Sequence, residues 1–381
     1  MMKQEIIWPD NVFEEINKWI KASGAKRIML VCGSSVKHMD VLMSCFERLK
    51  ENGINIVQFS EYKPNPEYES VVAGVELFRE NSSEAIIAVG GGSAIDVAKC
   101  TKLYSGYPGD GEHGEWLGKS MAVQDIPFMV IPTTAGSGSE ATRYAVIYYD
   151  GRKQSITEDS IIPDKVLMIP EVLKNLPIYQ KKSTMCDALS HAIESYWSVN
   201  STEESKEYSR EAIKEILENY KGYLTNSEDA NAKMLRAAYM AGKAINITAT
   251  TAGHAMCYKI TGMFGLAHGH ATMLCNCALF PWMLDNLDKC IDSRGEEYLK
   301  VTLDEIGVAL GGADARSGAT RLQALFEELE LEVPKVTDEQ IRELAESVNT
   351  ERLKNFPIRL REERIRELYA GILGAKNRYT I

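Results

Sequence analysis

The sequence predicts an α/β domain with a parallel sheet, followed by an all-α domain. Short apolar segments alternate with amphipathic helical segments in the first half, a pattern typical of a parallel sheet flanked by helices. After Pro177 the chain turns to long helical segments with almost no strand-like runs. At 381 residues it also exceeds the size at which one hydrophobic core keeps growing. We therefore expect two domains, residues 1–178 and residues 179–381.

The strand-like segments of the first half are apolar runs that end near turn residues. Helical segments separate the first three of them, and the last two are expected to lie at the edge of the same domain, with a turn at Asp150-Gly151. Long helices are predicted in the second half, for example at 205–223 and 229–247. The strand segments are 27–32, 54–59, 85–89, 128–132, 144–149 and 165–169, and the first helical segments lie near 36–52 and 67–81.

Composition excludes several classes of partner. The formal net charge of −11 argues against a surface that binds nucleic acid. No apolar run approaches the length of about 20 residues that spans a bilayer. The eight cysteines form no CxxC pair, and no secretory leader opens the sequence. We expect a cytoplasmic protein with reduced thiols, and neither nucleic acid nor a membrane as its partner.

One aspartate and three of the six histidines have the spacing of a metal site. Asp187 and His191 are four residues apart, so on a helix they project from one face. His254 and His268 would lie roughly 21 Å apart on one straight helix, too far to share an ion. Glycines between these two histidines can end one helix and turn the chain back. A single divalent metal with four protein ligands is therefore possible.

Simpler explanations exist for the same residues. An aspartate and a histidine reach helical spacing by chance, and a buried histidine often satisfies only a hydrogen bond. Cys186 and Cys257 lie close to the four residues and are either metal-binding thiols or small packing residues. Imidazole and carboxylate ligands together suit Fe(II), Zn(II), Co(II) or Mn(II), and no thiolate pattern selects zinc. The ligand set alone does not identify the ion.

Two segments rich in small residues follow predicted strands. Gly90-Gly91-Gly92-Ser93 lies where a buried strand becomes a helix, so its backbone N–H groups can face a phosphate. The second segment, 132–140, is rich in Gly, Ser and Thr. Open α/β sheets bind their ligands at the carboxyl ends of strands, so two such turns favour a nucleotide site. Ordinary turn chemistry is the alternative, because the spacing is not GxGxxG.

Taken together, the motifs resemble those of the iron-containing, group III, alcohol dehydrogenase family over nearly the whole chain. They are the segments 90–99, 132–140 and 187–194, with His254 and Ala267-His268-Gly269. The resemblance implies a dehydroquinate synthase-like fold, with a dinucleotide-binding domain before a helical domain that binds metal and substrate. It implies Asp187, His191, His254 and His268 as ligands of one Fe(II) or Zn(II). The implied cofactor contacts are Asn65, Gly91, Gly92, Ser93, Asp96, Thr133, Thr134, Ser137 and Lys153.

Two positions depart from the family pattern. Members that prefer NAD carry an aspartate where this chain has Gly33, and that carboxylate would repel the 2′-phosphate of NADP. Because Gly33, Ser34 and Ser35 would accommodate the phosphate, we expect NADP(H) to be favoured over NAD(H). Many relatives also place a histidine four residues after the third metal ligand, where this chain has Tyr258. Tyr258 is either a packing residue or a proton relay, and His270 is a second relay candidate.

The implied reaction interconverts a small aldehyde and a primary alcohol. Arg143 and Arg359 suggest an anionic substrate, since guanidinium groups pair well with a phosphonate, although both are also explained as surface ion pairs. With the residues after His254 and His268, they resemble the family members that reduce phosphonoacetaldehyde to 2-hydroxyethylphosphonate. A simple short-chain alcohol dehydrogenase, a lyase of the dehydroquinate synthase type and a non-catalytic metal or nucleotide binder are the alternatives. We also expect a homodimer.

Overall fold

A computed structural model of the protein describes residues 4–120 and 125–373. The chain divides into two units, the first ending at Leu176 and the second beginning at Pro177. The predicted domains begin at residue 1 and end at residue 381, and both of these residues lie outside the described ranges. In the described part, every helix is too short or too polar to cross a bilayer.

The first unit contains a six-stranded sheet in which all pairings are parallel. The strands of this sheet are β1 (Glu5–Ile7), β2 (Arg27–Cys32), β3 (Asn55–Phe59), β4 (Ala85–Gly90), β5 (Phe128–Pro132) and β8 (Lys165–Leu167). Their order is β1-β8-β5-β4-β2-β3. The helices of this unit are α1 (Val12–Ser23), α2 (Asp40–Glu51), α3 (Tyr68–Glu80) and α4 (Gly92–Tyr104).

Both faces of the central strands are buried, which explains their continuous apolar sequences. Leu30 and Ile87 face one core with residues of α1 and α2, such as Trp19. Val31 and Ala88, the next residues along the same strands, face a second core with residues of α3 and α4. Helices therefore cover both sides of the sheet. The predicted α/β domain with a parallel sheet is present.

The structure shows where the last predicted strands lie within the first unit. Segment 144–149 does not edge the main sheet; it forms strand β6 (Tyr144–Tyr149) of a separate antiparallel hairpin with β7 (Arg152–Thr157). The turn at Asp150-Gly151 does occur, and both residues have positive φ, at 49° and 68°. Strand β8 belongs to the main sheet and lies next to its edge strand, the short β1, which pairs with its outer side. β1 has only three residues and was not evident as a strand.

The second unit is helical in its described part apart from short connections and one isolated bridge. Its central helix is α5 (Ile178–Trp197), which is buried almost all round from Met185 onward. Helices on several sides pack against α5, so its sequence lacks a polar stripe. They are α6 (Glu203–Leu224), α7 (Glu228–Thr248), α8 (Ala252–Phe264), α9 (His268–Leu284) and α10 (Glu296–Ala309). The outer helices are α11 (Ala315–Glu328), α12 (Asp338–Glu346) and α13 (Glu362–Leu373).

A turn separates α8 from α9, as predicted from the glycines in this segment. Gly265 ends α8 in the left-handed conformation, with φ at 68°, and its N–H donates to the Thr261 carbonyl. Helix α9 begins at His268. His254 and His268 therefore lie on two helices that pack together, so the separation calculated for one straight helix does not apply.

Candidate active site

In the first unit, the two segments of small residues lie side by side at the carboxyl ends of β4 and β5. Gly90 pairs with Pro132, and the Thr133 N–H donates to the Gly90 carbonyl at 3.0 Å. A Cβ added to Gly91 would lie 3.0 Å from the Thr134 side chain, and one added to Gly92 would lie 3.1 Å from that of Ser137. These contacts are tight, so both positions need glycine or a shift of the neighbouring segment. The first turn of α4, which includes Ser93, leaves N–H groups without helical partners for a phosphate.

Asp96 joins α4 to the β6–β7 hairpin. Its carboxylate accepts a hydrogen bond from Ser139 Oγ at 2.6 Å and another from the Val146 N–H at 2.9 Å. Burial raises the pKa of Asp96, and the positive charges of Lys99 and Lys153 oppose that effect. Lys153, on β7, is therefore close enough to Asp96 for its charge to act on that carboxylate. Both carboxylate oxygens of Asp96 already have protein partners, which favours a structural role beside any contact with a cofactor.

Sequence reasoning missed the function of Lys99, one helical turn further along. Its side chain is completely buried, and Nζ donates to the backbone carbonyls of Ser139, Thr142 and Tyr144 at 2.6 to 2.7 Å. Burial lowers the pKa of Lys99 to about 8. In the sequence, Lys99 is the last residue of the segment 90–99 that carries the family resemblance. Lys99 fixes the loop that carries the second small-residue segment.

Gly33 follows β2 and precedes a short 3-10 helix, Ser34–His38. Ser34 and Ser35 are exposed. A Cβ on Gly33 would have one neighbour within 4 Å, the Tyr62 hydroxyl at 3.7 Å, and Gly33 has negative φ. A side chain would therefore fit here without strain. Asn65 has φ of 58°, and the next residue accepts a hydrogen bond from the β6 backbone, so this loop lies against the hairpin.

In the second unit, helices α5, α8 and α9 bring three of the four predicted metal ligands together. The candidate ligand atoms of Asp187, His254 and His268 all lie within 4.8 Å of one another. Asp187 Oδ1 is 3.6 Å from His254 Nε2 and 4.0 Å from His268 Nε2. Burial alone would raise the pKa of Asp187, but His191, His254 and His268 together hold it well below its usual value.

His191, the fourth predicted ligand, lies one turn beyond Asp187 on α5. It is buried, and its ring stacks on that of His254 with centroids 4.5 Å apart and planes inclined by 14°. Its charge is among the causes that lower the pKa of Asp187. The structure thus gathers all four residues in one cluster, with the ligand atoms of Asp187, His254 and His268 converging most closely.

The cluster fits a cation. Glu194 Oε1 lies 2.6 Å from His254 Nδ1, so the Nδ1 proton points to Glu194 and Nε2 presents its lone pair. His254 Nε2 and Asp187 Oδ1 are both buried, and neither has a hydrogen-bond partner among the described residues. Buried polar atoms without partners are costly, and two acceptors facing each other across 3.6 Å suit a shared cation.

Glu194 is held by several donors that the sequence did not reveal. Its Oε2 accepts from the N–H and the hydroxyl of Thr251, at 2.6 and 2.8 Å, and its Oε1 accepts from Asn276 Nδ2 at 3.1 Å. A Cβ on Gly253 would lie 2.1 Å from Asn276 Oδ1 and 2.4 Å from Glu194 Oε1. Glycine at position 253 therefore leaves room for this buried network behind His254.

Gly269 likewise leaves room for a close contact, here between α9 and Asp187 on α5. A Cβ there would lie 2.1 Å from the Ser183 carbonyl oxygen and 2.6 Å from Asp187 Cβ. The absence of a side chain lets the first turn of α9 approach α5 closely. Because His268 immediately precedes Gly269, this approach brings His268 to Asp187.

Comparison with known proteins identifies the family. Residues 3–170 match the family described as iron-containing alcohol dehydrogenase, and residues 181–373 match the C-terminal domain of the Fe-containing alcohol dehydrogenase family. The phosphonoacetaldehyde reductase of Streptomyces viridochromogenes is 31% identical over 315 residues, which cover 79% of each protein. The chain belongs to the iron-containing alcohol dehydrogenase family.

Solved structures of other proteins share the fold. The sulfoacetaldehyde reductase of Bifidobacterium kashiwanohense in complex with NAD+ aligns with a TM-score of 0.85 and 25% identity, over 99% of this chain and 98% of that one. An iron-containing alcohol dehydrogenase from Thermotoga maritima aligns with a TM-score of 0.83 and 28% identity, over 98% and 99% of the two chains. The predicted family, the fold class and the function as an aldehyde–alcohol oxidoreductase are confirmed.

The two candidate proton relays of this iron-containing alcohol dehydrogenase occupy different surroundings. The Tyr258 ring stacks on His268, with centroids 5.3 Å apart and planes inclined by 26°. His270 lies two residues after His268 on α9 and is buried. Its Nδ1 is 3.1 Å from the Tyr179 hydroxyl, and its ring packs against Phe326. Burial lowers the pKa of His270 to about 4. Tyr258, unlike His270, contacts a predicted metal ligand.

The two arginines predicted to bind substrate lie in different units. Arg143 is partly exposed, its guanidinium lies 3.5 Å from an Asp159 carboxylate oxygen, and it is near the Tyr144 ring. Arg359 is exposed, and its backbone N–H donates to the Lys289 carbonyl. Each unit contains only one of these two arginines, so neither unit by itself holds a pair of guanidinium groups formed by Arg143 and Arg359.

Proposed function

We propose that this dehydrogenase reduces a small aldehyde with NADPH at a divalent metal held by Asp187, His191, His254 and His268. The observation that carries the proposal is the pair of buried, facing acceptors, Asp187 Oδ1 and His254 Nε2, with Glu194 holding the other ring nitrogen of His254. A bound divalent ion would supply Lewis acidity toward the carbonyl oxygen, and the nicotinamide cofactor would supply the hydride. The residue types suit Fe(II) and Zn(II) equally.

The first test is an NADPH-oxidation screen on aldehydes after reconstitution with Fe(II) or Zn(II), each measured by elemental analysis. We expect turnover with one of the two metals and one equivalent of NADPH consumed per aldehyde. His268→Ala should lose both metal and turnover. Tight metal or cofactor binding without hydride transfer would support the non-catalytic alternative. Turnover without net consumption of NADPH would support the lyase.

For the proton, we propose the Tyr258 hydroxyl. Its ring stacks on His268, whereas His270 is enclosed by Tyr179 and Phe326. Tyr258→Phe keeps the ring and removes the proton donor, so kcat should fall while metal content stays constant. The companion variant His270→Asn should lower stability more than kcat. If Tyr258→Phe retains full kcat, Tyr258 is a packing residue.

For the cofactor, the preference for NADP(H) over NAD(H) rests on Gly33. No carboxylate stands at this position to repel a 2′-phosphate, and the adjacent Ser34 and Ser35 hydroxyls are exposed. Gly33→Asp should shift the ratio of kcat/KM values toward NADH, because the position has room for a side chain and normal backbone angles. Gly33→Asn adds the same volume without the charge and is the matched control. A clear NADH preference in the unaltered enzyme would overturn this part of the proposal.

For the substrate, we propose a short aldehyde that carries a tetrahedral anionic group, such as phosphonoacetaldehyde. Two relatives support this class: one is a phosphonoacetaldehyde reductase and the other a sulfoacetaldehyde reductase. Arg359, in the unit that contains the metal cluster, is proposed as the partner of the anion, and Arg143, in the other unit, is the alternative. Arg359→Gln should raise KM for the anionic aldehyde and leave that for butanal unchanged, with the exposed Arg366→Gln as control. If butanal is the better substrate, the chain is a simple short-chain alcohol dehydrogenase.

The cytoplasmic location and the homodimer remain proposals as well. Sedimentation equilibrium of the purified protein tests the second directly. A mass twice that of one chain is expected, and a single-chain mass would contradict it.

A further inference from the structure

Cys257 contacts the proposed metal site without being one of its four ligands. It lies on α8, three residues after His254, and is completely buried. Its Sγ is 3.3 Å from the backbone carbonyl oxygen of His254 and 3.5 Å from Nδ1 of His268. The distance to the other ring nitrogen of His268, Nε2, is longer, at 4.0 Å.

The single proton of a thiol limits the direction of these hydrogen bonds. A thiol carries one proton and is also a weak acceptor. Cys257 Sγ donates its proton to the His254 carbonyl, which leaves the sulfur as the acceptor for a proton on Nδ1 of His268. Nε2 of His268 is left with its lone pair, 4.0 Å from Asp187 Oδ1. The arrangement parallels that of His254, whose Nδ1 faces Glu194 while Nε2 faces Asp187.

His268 needs such support more than His254 does. The His254 side chain is 2% exposed, whereas that of His268 is 36% exposed. His268 is also the first residue of α9, so the helix restrains it on one side only. Tyr258 covers a face of the ring, and Cys257 holds its edge.

We propose that Cys257 is a positioning residue for His268: its sulfur fixes the tautomer and orientation that direct Nε2 to the metal. The inference rests on the metal site of the proposed function. Partners that hold the second nitrogen of a ligating histidine typically change metal affinity by about 10–100-fold when they are removed. A neutral thiol is a weaker acceptor than a carboxylate, so we expect a loss near the lower end of this range, about 10-fold.

Chelator competition with Zn(II) tests the proposal on the full-length protein. Cys257→Ala should weaken zinc binding about 10-fold. Cys257→Ser restores a donor and an acceptor and should bind zinc within a few-fold of the unaltered protein. Cys277→Ala is the matched control. Cys277 lies on the same helix as His268, and its thiol also faces a backbone carbonyl, that of Leu322. Its zinc affinity should be unchanged.

Several outcomes would overturn the inference. Unchanged zinc affinity in Cys257→Ala would do so, as would an equal loss in the Ala and Ser variants, since packing alone would then explain the effect. A thiolate-to-cobalt charge-transfer band in the Co(II)-substituted protein that disappears in Cys257→Ala would make Cys257 a ligand and not a positioning residue. If Cys257→Ala fails to fold, the Ser variant decides the question: near-normal affinity supports the proposal, and a loss of 10-fold or more contradicts it. Failure of the unaltered protein to bind zinc would instead contradict the proposed metal site.

Discussion

Replacing Gly269 with alanine should separate two of the proposed metal ligands. The new Cβ would lie 2.1 Å from the Ser183 carbonyl oxygen, 2.6 Å from Asp187 Cβ and 2.7 Å from Asp187 N. Ordinary van der Waals contact begins near 3.4 Å, so the start of α9 must move about 1.3 Å away from α5. The atoms that the new Cβ would meet are backbone atoms and a Cβ of α5, so no side-chain rotation can relieve the clash. His268, the preceding residue, would move with it.

The size of this displacement determines the expected effect. Metal–ligand distances vary by about 0.2 Å around their preferred values, so a movement of roughly 1 Å removes His268 from coordination. A misplacement of that size typically costs about 100-fold in activity. Overpacking of a tightly packed contact also destabilises the fold by about 1–3 kcal/mol. We expect Gly269→Ala to fold, with lower stability, weaker metal binding and strongly reduced kcat/KM.

The assay combines elemental analysis, chelator competition and aldehyde reduction. Gly262→Ala is the matched control: it lies on the neighbouring α8, and its added Cβ would have no neighbour within 4 Å. The control should retain metal and activity and gain up to about 1 kcal/mol from the better helix propensity of alanine. Gly269→Ala protein that retains one metal per chain with unaltered affinity would refute the reasoning.

Three further predictions follow from buried charged groups. Glu194→Gln should weaken metal binding by about 10–100-fold, measured by chelator competition, because His254 loses its anionic partner; equal affinity would contradict this. Lys99→Met should lower the free energy of unfolding by about 1–3 kcal/mol, measured by urea denaturation, because it removes the ammonium that the Ser139, Thr142 and Tyr144 carbonyls share; an unchanged midpoint would contradict it. Burial raises the pKa of Glu140 from 4.5 to about 7, so the native state binds a proton more readily than the unfolded state. The cost of this burial is therefore absent below pH 4.5 and complete above pH 7, and the stability gain of Glu140→Gln over the unaltered protein should grow across that interval; a gain that is independent of pH would exclude this titration.

The general organisation of the fold could be predicted because its signals are local. Continuous apolar strands alternate with amphipathic helices, and the two cores on either side of the main sheet follow from that pattern. Strand β1 could not be predicted from its three residues, since it is stabilised by pairing with β8, far away in sequence. The β6–β7 hairpin has a recognisable turn, but no local signal shows that it stands apart from the main sheet.

The proposed ligands could be predicted for a similar reason. Asp187 and His191 follow the period of one helix, and the glycines before His268 mark a helix break. Their supporting residues depend on contacts between helices and carry no such signal. Glu194 lies in a recognised motif, but its contacts with His254 and Thr251 join segments about 60 residues apart.

Crystallography of the protein reconstituted with Zn(II) or Fe(II), with anomalous data at the absorption edge of the metal, tests the central claim most directly. A single anomalous peak enclosed by Asp187, His191, His254 and His268 is the predicted result. A fully loaded crystal without a peak at these residues, or with its peak at other side chains, would contradict the metal site and the aldehyde reduction proposed there.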